Sequence, residues 1–246
     1  MFAAIAICIS LFSVILYSSG VRCADADLYV LFKSVCAGVF VLTGAVAIFL
    51  NKKRTLPNYL IVAGLIFGFA GDLMLALSYT KGEWLFMAGL GAFMLNHVLL
   101  ITAFYFIDRF RIRDVVLCCV IYAPMIYLLT TFENMGSVTV PAYIYAFALA
   151  AMLAKAISSA ISCKGKDMLR FLLIVGAVMW TLSDLVLCVN MYGNIGALLR
   201  QLSLTTTVSP GTWLDFVNTF TYFIGQTMLA CTVYYYRRKE LSENAQ

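Results

Sequence analysis

The stretch LIVAGLIFGFAGDLMLAL, residues 60–77, decides how this chain is read. It holds a single ionisable group, Asp72, in a run long enough to cross most of a bilayer as a helix rising 1.5 Å per residue. A carboxyl near the middle of a membrane costs at least ~2.5–3.5 kcal/mol on insertion scales, so an acid in such a place is first of all a candidate for function. The pattern returns in LLIVGAVMWTLSDLVLCV, residues 172–189, around Asp184. In both stretches the aspartate lies eight residues after a glycine, Gly64 or Gly176, and a leucine follows three residues later, Leu75 or Leu187.

Composition places the whole chain in the same class. Of its 246 residues 63% are hydrophobic and 12% charged, with mean hydropathy +0.94, against roughly 45–50% and 25% in a soluble domain. Apolar runs predict an all-α polytopic membrane protein, a bundle of eight transmembrane helices at about 2–19, 29–50, 57–78, 84–107, 112–131, 140–162, 168–190 and 213–236. No remaining stretch is long enough for a soluble domain, so residues 1–246 read as one integral-membrane domain.

With alternating helices, one side of the membrane receives Lys52, Lys53, Arg54, Arg109, Arg111, Arg113, Lys164, Lys166, Arg170, Arg237, Arg238 and Lys239. The other receives Arg22, Lys81 and Arg200. Twelve against three predicts that both termini are cytoplasmic. The net charge of +5 then reports topology, and short flanking clusters without a continuous basic patch argue against a nucleic-acid partner. The membrane is a bacterial inner (plasma) membrane or that of the endoplasmic reticulum. The first segment lacks the basic start of a signal peptide and is read as a retained helix. Seven of the eight cysteines fall inside or at the ends of apolar runs, with Cys23 in an outer loop, so neither a disulfide framework nor a CxxC metal signature is expected.

The repeat extends beyond the aspartates. In the fourth and eighth helices an aromatic residue precedes a polar one by four positions, Phe93 before His97 and Tyr222 before Gln226. Two four-helix halves are therefore expected, related by an axis along the membrane normal, with both aspartates at similar depth. Gly64, Gly68, Gly71 and Asp72 form one helical stripe of small residues, placing Asp72 on a packed face. Gly176, Trp180, Ser183 and Asp184 form another, Asn218, Tyr222 and Gln226 a third, and Gly89, Phe93 and His97 a fourth. These stripes predict a polar cavity biased toward the non-cytoplasmic half.

Each of these groups also has a simpler reading. Lys33 can snorkel to the headgroups from the outer start of the second helix, or face inward toward a carboxylate. Lys155, near the cytoplasmic end of the sixth helix, reads as a snorkelling residue outside the site. Ser183, Asn218 and Gln226 can be interhelical glue, worth ~0.6 kcal/mol per bond, and a lone His97 is more often an interior hydrogen-bonded residue than a ligand. For the aspartates function outweighs packing, because a low-dielectric surrounding disfavours a carboxylate's charge and lets an acid keep a proton to deliver.

In order along the chain, FKS (32–34), GDLMLAL (71–77), FMLNHVLLITAF (93–104), GAVMWTLSDLVL (176–187) and TYFIGQTMLA (221–230) resemble the recurrent signatures of the YhhN family, the lysoplasmalogenases. Two positions depart from the family's habit: Ser34 where proline often follows the lysine, and Leu100 where tyrosine often follows the histidine by three. The resemblance implies eight helices and hydrolysis of the vinyl ether bond of a lysophospholipid, lysoplasmalogen, to a fatty aldehyde and glycerophosphoethanolamine or glycerophosphocholine. It implies no cofactor and no metal. Asp72 and Asp184 would divide the acid and carboxylate roles, as in glycosidases with their oxocarbenium-like transition state, and the sequence leaves open which does which. Lys33 would hold the substrate phosphate, with Ser183, His97, Tyr222 and Gln226 around the pair.

Other chemistries fit the residues less well. The Gly-x-Gly-Asp form of intramembrane aspartyl proteases is broken at Phe69, a single histidine supplies too few ligands for a zinc amidohydrolase, and no Gly-x-Ser-x-Gly elbow is present. From another class, a proton-coupled transporter or carrier of a lipid or small amphipath also uses repeated halves and midplane carboxyls. Against it, the third and seventh helices have no proline breaks.

Overall fold

The computed structural model describes residues 1–20, 26–51, 54–132, 135–162, 167–193 and 210–236. Among them run eight α-helices and no strand: α1 Phe2–Gly20, α2 Ala26–Leu50, α3 Leu56–Lys81, α4 Glu83–Ile107, α5 Ile112–Thr130, α6 Thr139–Ile161, α7 Met168–Tyr192 and α8 Pro210–Tyr235. A 3-10 turn, Gly136–Val138, leads into α6. Pro57 in the first turn of α3 pre-sets its backbone where no helical donor is lost. Gly82 alone links α3 to α4 at φ 122°, a conformation that side-chain-bearing residues rarely adopt.

Six helices, α2 to α7, are long and apolar enough to cross a membrane, as befits an integral multi-pass membrane protein. The expected eight spans are thus met at six. In α1 the apolar stretch is shorter, Phe2–Ser18. In α8 the polar side chains of Asp215, Asn218, Thr219, Thr221, Gln226, Thr227 and Thr232 lower the hydropathy. Thr219, Gln226, Thr227 and Thr232 of this set are buried, so much of the polarity of α8 faces its neighbours.

The helices pack in a closed circuit. The most extensive contacts join α3 to α4 and α7 to α8; α4 meets α6, α6 meets α7, and α8 returns to α3. Around this five-helix ring, α2 covers α3 and α8, α1 covers α2 and α8, and α5 lies chiefly against α6. Outward faces carry exposed apolar residues such as Phe12, Leu42, Phe49, Val120 and Phe147, as lipid contact requires.

Glycines set the two tightest crossings. A β-carbon at Gly176 would lie 3.0 Å from the Gly225 carbonyl oxygen and 2.9 Å from Leu229. At Gly64 it would lie 2.8 Å from Asn96 Oδ1 and 3.5 Å from Leu100. Asn96 and Leu100 flank His97 on α4 as Gly225 and Leu229 flank Gln226 on α8, so the two helix pairs meet through equivalent positions.

One end of the bundle is knitted by basic side chains. Arg113 Nε donates to Ser158 Oγ at 2.8 Å, Arg111 bonds Ser162 and, at 3.1 Å, Asp108, and Arg170 pairs with Asp167 at 2.6 Å. Lys155 belongs to this set, which corrects its reading as a snorkelling residue. It is fully buried, donating to Asp114 Oδ2 at 3.0 Å and to the Arg109 carbonyl at 2.7 Å, because α5 brings an acid within its reach. Arg22, Lys52, Lys53, Lys164, Lys166, Arg200, Arg237, Arg238 and Lys239 lie outside the described residues, as does Cys23.

Candidate active site

Asp72 sits on the inner face of α3, 3% exposed. Tyr222 of α8 donates its hydroxyl to Oδ2 at 2.8 Å, and Lys33 of α2 places Nζ 3.6 Å from Oδ1. Lys33 therefore faces inward and meets a carboxylate, the second of its two sequence readings. Asp184 on α7 is less enclosed and accepts from the Tyr145 hydroxyl of α6 at 2.6 Å on Oδ2. Asp72 and Asp184 stand near enough to interact electrostatically. Asp72 lies nine residues before the end of its helix at Lys81, and Asp184 eight before the end of its own at Tyr192.

An aromatic wall joins the two carboxyls. Tyr222 meets Trp180 edge-on with ring centres 6.2 Å apart; Trp180 lies 4.2 Å from the His97 ring; His97 lies 4.9 Å from Tyr145. Trp180 Nε1 comes close to the Asp184 and Tyr145 pair without closing a hydrogen bond to either. Phe93 and Phe40 close on the Tyr222 ring from α4 and α2 at 6.0 and 6.3 Å.

Polar atoms of His97, Gln226 and Asn96 are buried as well. His97 Nδ1 is 2.8 Å from the Phe93 carbonyl, which can only accept, so Nδ1 carries the proton and in the neutral ring Nε2 is an acceptor. That Nε2, both amide atoms of Gln226 and both of Asn96 are buried and have no hydrogen-bond partner among the described residues. Buried polar groups are nearly always paired, so each of these atoms is suited to bond a water or a polar ligand. Asn96 overlies Gly64 and Gly68, whose lack of side chains admits its amide.

Six of the seven side chains singled out in the sequence lie in this region: Asp72, Asp184 and Tyr222 in the hydrogen-bonded pairs, Lys33 in an ion pair with Asp72, His97 in the wall, and Gln226 one helical turn from Tyr222. Ser183 is turned elsewhere. Its hydroxyl donates to the Asn218 carbonyl at 3.2 Å and faces Asn218 Oδ1 at 3.3 Å, closing α7 on α8. Tyr145 is the residue sequence reasoning missed. It precedes Asp184 by 39 positions, as Lys33 precedes Asp72, and extending the repeat to the second and sixth helices would have found it. Among the described residues no three His, Cys, Asp or Glu side chains converge as metal ligands.

The family model described as the YhhN family matches residues 28–233. The chain belongs to the YhhN family. That match spans α2 to α8 almost entirely and takes in both aspartates, Lys33, Tyr145 and Tyr222, so the YhhN portion of the chain is the portion that builds the site. No curated protein and no solved structure matches the chain.

Proposed function

We propose that this YhhN protein is a lysoplasmalogenase, hydrolysing the vinyl ether bond of a lysophospholipid to a fatty aldehyde and glycerophosphoethanolamine or glycerophosphocholine. The observation that carries the reading is the pair Asp72 and Asp184, on two apolar helices of the bundle, each hydrogen-bonded by a tyrosine from a neighbouring helix. Vinyl ether hydrolysis asks for a proton at the alkene carbon, stabilisation of an oxocarbenium-like cation, and an activated water. One acid and one carboxylate supply all three.

The substrate enters laterally from the bilayer. Its headgroup stays near the outer interface, where Lys33 has donors to spare for a phosphate oxygen beside its contact with Asp72. His97 Nε2 and the Gln226 amide, buried and without a hydrogen-bond partner among the described residues, are suited to orient the hydrolytic water. Ser183 contributes by holding α7 to α8.

Purified protein in detergent, mixed with a lysoplasmalogen and separately with its saturated ether analogue, tests the reading. Fatty aldehyde detected by mass spectrometry from the vinyl ether alone is the expected result. No aldehyde from well-folded protein across pH and headgroups would count against hydrolysis, and proton-dependent lipid flux in sealed vesicles would then favour a carrier.

A further inference from the structure

Resting on the hydrolase reading above, we infer that the two carboxyls hold different posts: Asp184, positioned by Tyr145, delivers the proton, and Asp72, held between Lys33 and Tyr222, serves as the carboxylate.

The basis is a break in the repeat. The second helix of each half sends a side chain to the aspartate of the third, from positions 39 residues earlier, but the first half sends an ammonium, Lys33, and the second a phenol, Tyr145. The fourth helices differ as well. Tyr222 of α8 reaches across to Asp72, whereas the matching position on α4 is Phe93, which has no hydroxyl to give Asp184. Asp72 thus meets a cation at one oxygen and a hydroxyl donor at the other, a setting that compensates a negative charge on both sides. Asp184 meets one neutral donor at Oδ2, and Oδ1 has no hydrogen-bond partner among the described residues. A protonated Asp184 keeps the Tyr145 bond on Oδ2 and presents its own proton from Oδ1.

The chemistry balances with one water and nothing else. Asp184 gives its proton to the alkene carbon β to the ether oxygen; the π pair forms the new C–H bond and leaves an oxocarbenium at the carbon bearing oxygen. Water adds there as the Asp72 carboxylate takes its proton, giving a hemiacetal. As the carbon–oxygen bond to glycerol breaks, the hemiacetal hydroxyl proton passes to the departing glycerol oxygen, and aldehyde and glycerophosphoethanolamine or glycerophosphocholine leave. Return of the proton from Asp72 to Asp184 completes the cycle. The pair also faces other titratable groups, Tyr17 of α1 and Cys36 of α2 toward Asp72, Cys188 of α7 toward Asp184, and His97 of α4 on the wall; these stay unchanged in the test.

The test is the pH profile of kcat for aldehyde release by the full chain, in wild type and in Tyr145→Phe, Tyr222→Phe and Lys33→Met. The acidic limb reports the group that must be charged and the alkaline limb the group that must hold a proton. Tyr145→Phe should displace the alkaline limb alone, with kcat down ~10-fold or more from lost positioning. Tyr222→Phe and Lys33→Met should displace the acidic limb alone. The two phenylalanine variants keep their rings in the wall, so the comparison survives if Lys33→Met fails to fold. Exchanged limbs would reverse the posts and overturn the assignment; limbs that stay put while kcat falls would reduce Tyr145 to packing and overturn it too. Wild-type protein that folds and yields no aldehyde at any pH is a different failure, and removes the hydrolase reading along with the assignment.

Discussion

At Asp72 the problem of an acid surrounded by apolar helices is met by two donors, Lys33 and Tyr222, and at Asp184 by one, Tyr145. A neutral amide of the same shape tests what the acids do. Asp72→Asn and Asp184→Asn should each lower kcat for aldehyde release by ~100-fold or more, the range over which a positioned acid or base acts, while both variants still purify as folded protein. Two other buried groups invite a milder test. His97→Ala and Gln226→Ala remove His97 Nε2 and the Gln226 amide, buried atoms with no hydrogen-bond partner among the described residues, so turnover should fall while both variants still purify as folded protein, His97→Ala melting earlier for its lost Nδ1 bond to the Phe93 carbonyl. Unchanged turnover in both would assign these two side chains to packing. Tyr145 shows why residue-by-residue reading stopped short: on its own it is one of fourteen tyrosines in an apolar chain, and only its 39-residue spacing to Asp184 singles it out.

Helix pairs are where sequence stripes become contacts. The glycine stripe around Gly176 predicts a close crossing, and the structure supplies its partner, Gly225 on α8, whose carbonyl leaves no room for a larger residue. Gly176→Val should therefore destabilise the α7 to α8 pair by about 1–3 kcal/mol, the usual cost of overpacking, read as a lower melting temperature in detergent with aldehyde release lost in parallel. At the α5 to α6 contact the sequence misled, because a lysine near a helix end is ordinarily free to snorkel. Lys155 cannot do so: Asp114 and the Arg109 carbonyl enclose it. Breaking a buried pair from one side costs about 3–5 kcal/mol, whereas an apolar pair of like volume can be neutral. Lys155→Met alone and Asp114→Leu alone should each melt earlier than wild type, and the double variant should recover most of the loss. An additive double variant would show that the pair is not coupled.

Over the whole molecule the consequence is topology. Gly82 and Asp108 lie at opposite ends of α4, and the positive-inside pattern predicts a cytoplasmic Asp108 end. Alkaline phosphatase fused after Gly82 should be active and after Asp108 inactive, and the reverse result would invert the bundle. Apolar runs, spaced basic clusters and the repeated Gly-x7-Asp frame were enough to read an all-helical membrane protein with two candidate carboxyls, since burial in hydrocarbon imposes length and polarity rules that act on local sequence. Spans at the two ends of the chain were harder to read, because a helix such as α8 can be polar where it faces other helices and still belong to the bundle. The tertiary structure alone decided which partner each polar group takes. Lys33 turns to Asp72, Ser183 to Asn218 and Lys155 to Asp114, and Tyr145 reaches Asp184 from another helix. The physical reason is that a side chain's face on its own helix follows from a 3.6-residue period, whereas the group opposite it depends on which helices pack together and at what height.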